Sequence, residues 1–222
     1  MLKKAEGEKT MSLPKNIEEK CFLCGKTSEQ TILLSTNAFG SPDLDLRPPE
    51  MARSTMYWWI QECPHCGYIS KNLSQKVKSA SELLKLIEND NYLSCDGIVF
   101  ASELAEKFYK YYLINVVKKD YDAAFNAVLH AAWACDDARD TENAINCRKK
   151  ALIEIDKIIS SKNEDLLTIR ADLLRRSRQF DLLISEYTKK TFSKDLLNKI
   201  IAFEIEKSKE NDDSCYKVSD AT

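Results

Sequence analysis

An α+β fold is predicted, in which a small cysteine-held β unit at the N-terminus packs on a mainly α-helical C-terminal domain. Three observations predict it. Two C-x-x-C-G hooks, Cys21-Phe22-Leu23-Cys24-Gly25 and Cys63-Pro64-His65-Cys66-Gly67, stand in the first third of the chain. Short β-branched or aromatic runs adjoin them, as strands require. From Ser74 onward there is no proline and a single glycine, Gly97, and apolar residues recur at helical spacing.

Each hook places two cysteines with two residues between them and a glycine directly after, which is the form of a zinc knuckle. A tight turn aims both sulfurs at one point, and Gly accepts the positive φ the turn needs. Two hooks supply four sulfurs, Cys21, Cys24, Cys63 and Cys66, enough to fill a tetrahedral site with a structural Zn2+ ion. Such a site has no open position for water or substrate, so its role is to hold the fold. An iron site uses the same four sulfurs, and spacing does not separate the two metals. Thioredoxin-like redox chemistry needs a strand-to-helix junction in a βαβ setting, which is absent here. His65 is read as an exposed knuckle residue.

The 222 residues carry a net charge of -2, so bulk attraction to phosphate is excluded. Residues 1–75 hold nine basic and nine acidic side chains, and the remainder 24 and 26, so neither part is a basic module. Met1–Lys15 lacks the apolar core of a signal peptide and no later run is long enough to span a membrane. A cytoplasmic, reducing setting is expected. There Cys95, Cys135, Cys147 and Cys215 are read as free thiols.

In chain order, residues 1–16 are expected to form a flexible terminus and 17–75 the zinc ribbon. Thr31–Ser35 reads as a strand. Asn37–Glu50 holds three of the five prolines, which predicts a stiff excursion. Met56–Glu62 reads as a strand entering the second hook, with Trp58 on one face and Trp59 on the other. The hooks lie 38 residues apart, about twice the roughly 15–20 of a compact four-cysteine site, and the proline loop accounts for the excess. A unit of this size buries too little apolar surface to stand alone, and zinc is expected to be required for it to fold.

Residues 76–207 are expected to form an α-helical, repeat-like domain of seven helices, and 208–222, polar and acidic, a disordered tail. Asn89-Asp90-Asn91 is read as ending the first helix, Asp96 as capping the second and Asn163 the fifth. The segments Ala132–Ile145 and Ala171–Ile184 repeat one layout 39 residues apart: an apolar helix end, a short turn, an amphipathic helix. This resembles a degenerate tetratricopeptide repeat, with Ala132 and Ala171 at the small packing position, although that repeat runs to about 34 residues and its Trp-Leu-Gly signature is missing.

Asp43, Asp45 and Arg47, then Tyr57 ahead of Cys63-Pro64-His65-Cys66-Gly67-Tyr68, resemble an uncharacterised bacterial family that joins a zinc ribbon to tetratricopeptide-like helices. The resemblance covers residues 20–205. It implies fold and metal, and no reaction.

Function beyond folding is sought first in the loop, where Asp43, Asp45 and Arg47 are candidates to meet a protein or peptide partner. The bland alternative has the two carboxylates capping turns and pairing with Arg47 or Arg53. Trp58 and Trp59, near Arg53 and Lys71, suggest base stacking, but a nucleic-acid partner is not favoured. His130 is read as a packed histidine, and no set of His, Ser or Lys supports a hydrolytic pair at Asp43 and Asp45. The expected function is a zinc-stabilised scaffold or adaptor that binds a protein or peptide through helical repeats and the Asp43–Arg47 loop. The alternatives are a nucleic-acid-binding ribbon and an enzyme using that loop.

Overall fold

The computed structural model describes residues 12–160 and 162–222. The expected flexibility of residues 1–11 lies outside them, while Ser12–Asn16, assigned to the same terminus, instead open a strand. β1 (Ser12–Lys20) and β2 (Thr27–Thr36) pair antiparallel, from Ser12 opposite Thr36 to Lys20 opposite Thr27. The register shifts at Leu13/Pro14, where proline cannot donate to the ladder. The first hook is the turn of this hairpin. The second hook is likewise the turn between β3 (Gln61–Glu62) and β4 (Ile69–Ser70).

The strand expected over Met56–Glu62 survives only in its last two residues. Arg53–Trp58 is a 3-10 helix, closed by Thr55 Oγ1 donating to Ala52 O at 2.7 Å and accepting from Trp59 Nε1 at 2.9 Å. These side chain bonds hold a helical turn where an apolar run suggested extended chain. Trp58 and Trp59 therefore do not alternate across a sheet.

Eight α-helices follow among the described residues. α1 (Ala80–Ile87) leads to the four-residue α2 (Asp90–Leu93), because Asn89 caps a new helix by accepting from Asn91 N. Ser102, rather than Asp96, caps α3 (Glu103–Lys118). α4 (Tyr121–Asp137), α5 (Thr141–Ile158) and α6 (Glu164–Arg176) are capped by Asp120, Asp140 and Asn163, and α7 (Phe180–Tyr187) and α8 (Asp195–Lys209) complete the set. Successive helices from α3 to α8 pack on one another, and α6 also meets α8. The alanines of α4 make the close approach possible: Ala124, Ala127, Ala131, Ala132 and Ala134 are all buried.

The helix stops use three charged residues and an asparagine where glycine is usual. Lys119, Arg139, Arg178 and Asn211 all adopt left-handed φ of 56–62°. At each, two backbone bonds close the helix end, as with Arg139 N to Asp136 O and Asp140 N to Cys135 O. Arg139 and Arg178 lie 39 residues apart, so the repeated layout extends to the turn itself. Ala132, Ala171, Ala144 and Leu183 are buried at matching places.

The tail is ordered rather than disordered. Arg175 Nη1 donates to the carbonyls of Asp212 and Ser214, and Tyr216 meets Phe203 edge-on at 5.0 Å. Leu44 N bonds Tyr216 O and Val218 N bonds Pro42 O, so the tail clamps the proline loop. Its polar composition is matched by one buried arginine and one aromatic pair.

Candidate metal centre

The two hooks have the same internal geometry. Gly25 N bonds Cys21 O and Gly67 N bonds Cys63 O, both at 2.9 Å, and each glycine has φ of 71°. Cys21 N to Lys26 O and Cys63 N to Tyr68 O close the hairpins behind them, again at 2.9 Å. The hooks face each other. Gln30 Nε2 donates to Glu62 O at 3.0 Å, tying the first hairpin to the second, and His65 Nε2 lies 3.2 Å from Thr27 O. His65 is thus an exposed bridge between the hooks and not a member of the sulfur set.

All four sulfurs lie within 4.8 Å of one another, Cys21 Sγ to Cys66 Sγ at 3.8 Å and Cys24 Sγ to Cys63 Sγ at 3.6 Å. The edge of a tetrahedron with metal–sulfur bonds of about 2.3 Å is about 3.8 Å, so the donor set fits a four-coordinate thiolate metal. Burial pushes the Cys21 and Cys66 thiols up. At Cys24 burial acts the same way, but the Lys26 N–H and the neighbouring sulfurs outweigh it and hold that thiol below its ordinary value. A divalent cation would remove the repulsion among four thiolates. Cys21 and Cys63 are buried and Cys24 and Cys66 half-buried, and the four cysteines leave a bound ion no vacant position for a reacting molecule.

The centre is fastened to the helices. Tyr92 Oη donates to Gly67 O at 2.6 Å, Phe22 N to Leu73 O at 2.8 Å, and Leu73 N to Gln61 Oε1 at 3.0 Å. Tyr68, Ile69 and Leu73 carry the second hook into the common core.

The loop residues expected to face a partner are inside the protein. Asp43 and Asp45 are each 2% exposed and Arg47 4%. Asp45 Oδ2 accepts from Trp133 Nε1 at 2.7 Å and lies 3.6 Å from Arg176 and 3.9 Å from Arg148, while its Oδ1 accepts from Arg47 N. Asp136 accepts from both arginines, at 2.5 Å from Arg148 and 3.0 Å from Arg176. Burial raises the Asp136 carboxyl, but the two guanidinium groups outweigh it and keep it below the usual range. Arg47 pairs with Asp137 at 2.5 Å and lies over the Trp133 ring. Asp43 pairs with Arg53 at 2.6 Å and accepts from Cys215 Sγ at 3.3 Å. The loop is therefore a plug held by α4, α5, α6 and the tail, and it offers these three side chains to no outside partner. The expected pairing of Asp43 with Arg53 is present; that of Asp45 is with residues far along the chain.

Trp58 and Trp59 are half-buried, and Arg53 is taken up by Asp43. His130 is enclosed by Trp59, Phe108 and Trp133, with ring centroids 4.7–5.2 Å away, and burial pushes it down to about 3. It shares a cavity of about 310 Å³ with Asp45, whose carboxylate is already committed. Sequence reading assigns Trp133, Asp136, Arg148 and Arg176 no role at the loop: Asp136 stands out only as a neighbour of His130, and the basic cluster Arg175-Arg176-Ser177-Arg178 reads as a solvated turn, whereas Arg175, Arg176 and Ser177 are buried. One signal existed: Arg148 lies on the apolar stripe of α5, four residues after Ala144 and three before Ala151.

No helix among the described residues is long and apolar enough to cross a membrane. No family model matches the chain, and neither a curated protein nor a solved structure matches it.

Proposed function

We propose that this chain is a zinc-stabilised scaffold: a zinc ribbon made of the two hook-bearing hairpins, joined to tetratricopeptide-like helix pairs that bind a protein or peptide partner. The observation that carries the reading is the closed set of four sulfurs with tetrahedral spacing, fastened to the helices by Tyr92. A centre of that form stabilises and orients without taking part in chemistry. The 39-residue layout supports the repeat label, and the resemblance to the zinc-ribbon family goes with it. A reducing, cytoplasmic setting suits thiolate ligands.

The partner surface lies on the outer side of the buried plug, where Asp137 pairs with Arg47. Tyr57 is 66% exposed and, with Ser102, Ala134 and Asp137, lines an open cavity of about 370 Å³, while Val99, near its rim in sequence, is 88% exposed. A large aromatic side chain exposed beside a cavity, as Tyr57 is, suits recognition of another chain. The alternatives have less support, since Arg53, Asp43, Asp45 and Arg47 are all spent on internal pairs.

The test is crosslinking mass spectrometry of the full-length, zinc-loaded protein in its native extract. Crosslinks to one recurrent partner through the Tyr57–Val99 surface, lost in a Tyr57→Asp/Val99→Asp variant of unchanged melting temperature, support the scaffold. Crosslinks that persist in the variant, or map elsewhere, refute the surface.

A further inference from the structure

A cavity of about 520 Å³ lies between the β1–β2 hairpin and the helical body, and its lining combines two kinds of wall. Ile17, Ile32 and Leu33 of the hairpin, with Trp58 and Trp59, supply apolar and aromatic surface. Glu19 and Lys71 supply opposite charges to the same space. These charges are not spent on each other. Glu19 Oε1 accepts from Ser74 N and Oγ, both at 3.1 Å, while its Oε2 has no hydrogen-bond partner among the described residues although Glu19 is only 7% exposed. Lys71 is exposed at the mouth. Gln61, also in the wall, fixes its oxygen on Leu73 N and so turns its amide N–H groups to donation.

A buried carboxylate oxygen without a donor costs free energy, and an incoming N–H or ammonium group relieves it once the Glu19 carboxyl turns to present that oxygen, which is closed off from solvent as it stands. Three ligand classes can be compared on charge. A simple organic cation satisfies Glu19 but adds repulsion from Lys71. A simple anion satisfies Lys71 and leaves Glu19 Oε2 bare. A nucleotide needs several phosphate donors, and among the described residues Lys71 is the one cationic side chain lining the cavity. A zwitterion with a bulky apolar group meets every wall, and a chamber of this size falls within the ordinary range of small-ligand sites.

We propose that this cavity binds a free α-amino acid with a large apolar side chain: its ammonium group bonds Glu19, its carboxylate bonds Lys71 and Gln61, and its side chain packs on Trp58, Trp59 and the hairpin. The site is separate from the partner surface and does not depend on the scaffold reading.

The test is calorimetry on the full-length, zinc-loaded protein with L-phenylalanine, phenethylamine and 3-phenylpropionate, read alongside tryptophan fluorescence. L-Phenylalanine is expected to bind, and each analogue, lacking one charge, to bind at least about tenfold more weakly. Glu19→Gln keeps the Ser74 bonds and removes only the charge, and Lys71→Ala changes an exposed side chain; each is expected to weaken L-phenylalanine by about tenfold with the melting temperature kept. Absence of binding at millimolar L-phenylalanine, equal binding of the analogues, or an unchanged affinity in Lys71→Ala would overturn the proposal.

Discussion

Asp45→Ala removes the side chain on which the plug depends. Its carboxylate accepts from Trp133 Nε1 at 2.7 Å and faces Arg176 and Arg148 at 3.6 and 3.9 Å, almost wholly out of water. Breaking a buried ion pair from one side costs about 3–5 kcal/mol, because the surviving charge stays buried. Here Asp136 still pairs both arginines, which lowers the loss, while the orphaned indole N–H adds about 1–3 kcal/mol. The balance is a destabilisation of about 3 kcal/mol, which in a chain of this size corresponds to a fall of about 6–12 °C in melting temperature. Asp45→Asn keeps an oxygen for Trp133 and removes only the charge, so it is expected to cost less. Urea unfolding followed by tryptophan fluorescence measures both variants. A loss below about 1 kcal/mol for Asp45→Ala, at unchanged dependence on urea, would refute the claim that the loop is anchored by this carboxylate.

Cys63→Ser is expected to release the metal and to remove most of the on the order of 10–16 kcal/mol of apparent stabilisation that a structural zinc supplies, seen as lost near-ultraviolet dichroism and lost zinc per chain. Arg139→Gly relieves a left-handed residue at an exposed turn and is expected to raise stability by about 0.5–1 kcal/mol, measured by thermal unfolding. Asp172 and Glu204 share one buried arginine, Arg175, and burial, together with Asp172, raises the Glu204 carboxyl to about 8. The folded state then binds a proton that the unfolded chain releases near pH 4.5, so this pair makes stability fall as pH rises from there to about 8; Glu204→Gln is expected to flatten urea midpoints over that window, and an unchanged slope would contradict it.

What sequence reveals here follows how local each determinant is. The hooks are legible because the cysteines, the glycines with φ of 71° and the closing backbone bonds all lie within six residues. The helices are legible from their apolar spacing, and Asn163 as a cap from its place ahead of Glu164 and Asp165. Arg53–Trp58 is not legible as a helical turn, since Thr55 sets it through bonds that an apolar run does not announce. The burial of Asp45 depends on Trp133, Arg148 and Arg176, about 90 to 130 positions later, so its local context reads as a solvent-exposed loop. The tail reads as disordered for the same reason: its order comes from Arg175 and Phe203. Helix stops at Lys119, Arg139 and Arg178 escape notice because glycine is the usual signal.

The most direct test of the central claim is X-ray absorption at the metal edge of the purified full-length protein. One zinc per chain with four sulfur neighbours at about 2.3 Å is the predicted result. An iron edge, fewer than four sulfurs, or no bound metal would contradict a zinc-closed centre at Cys21, Cys24, Cys63 and Cys66.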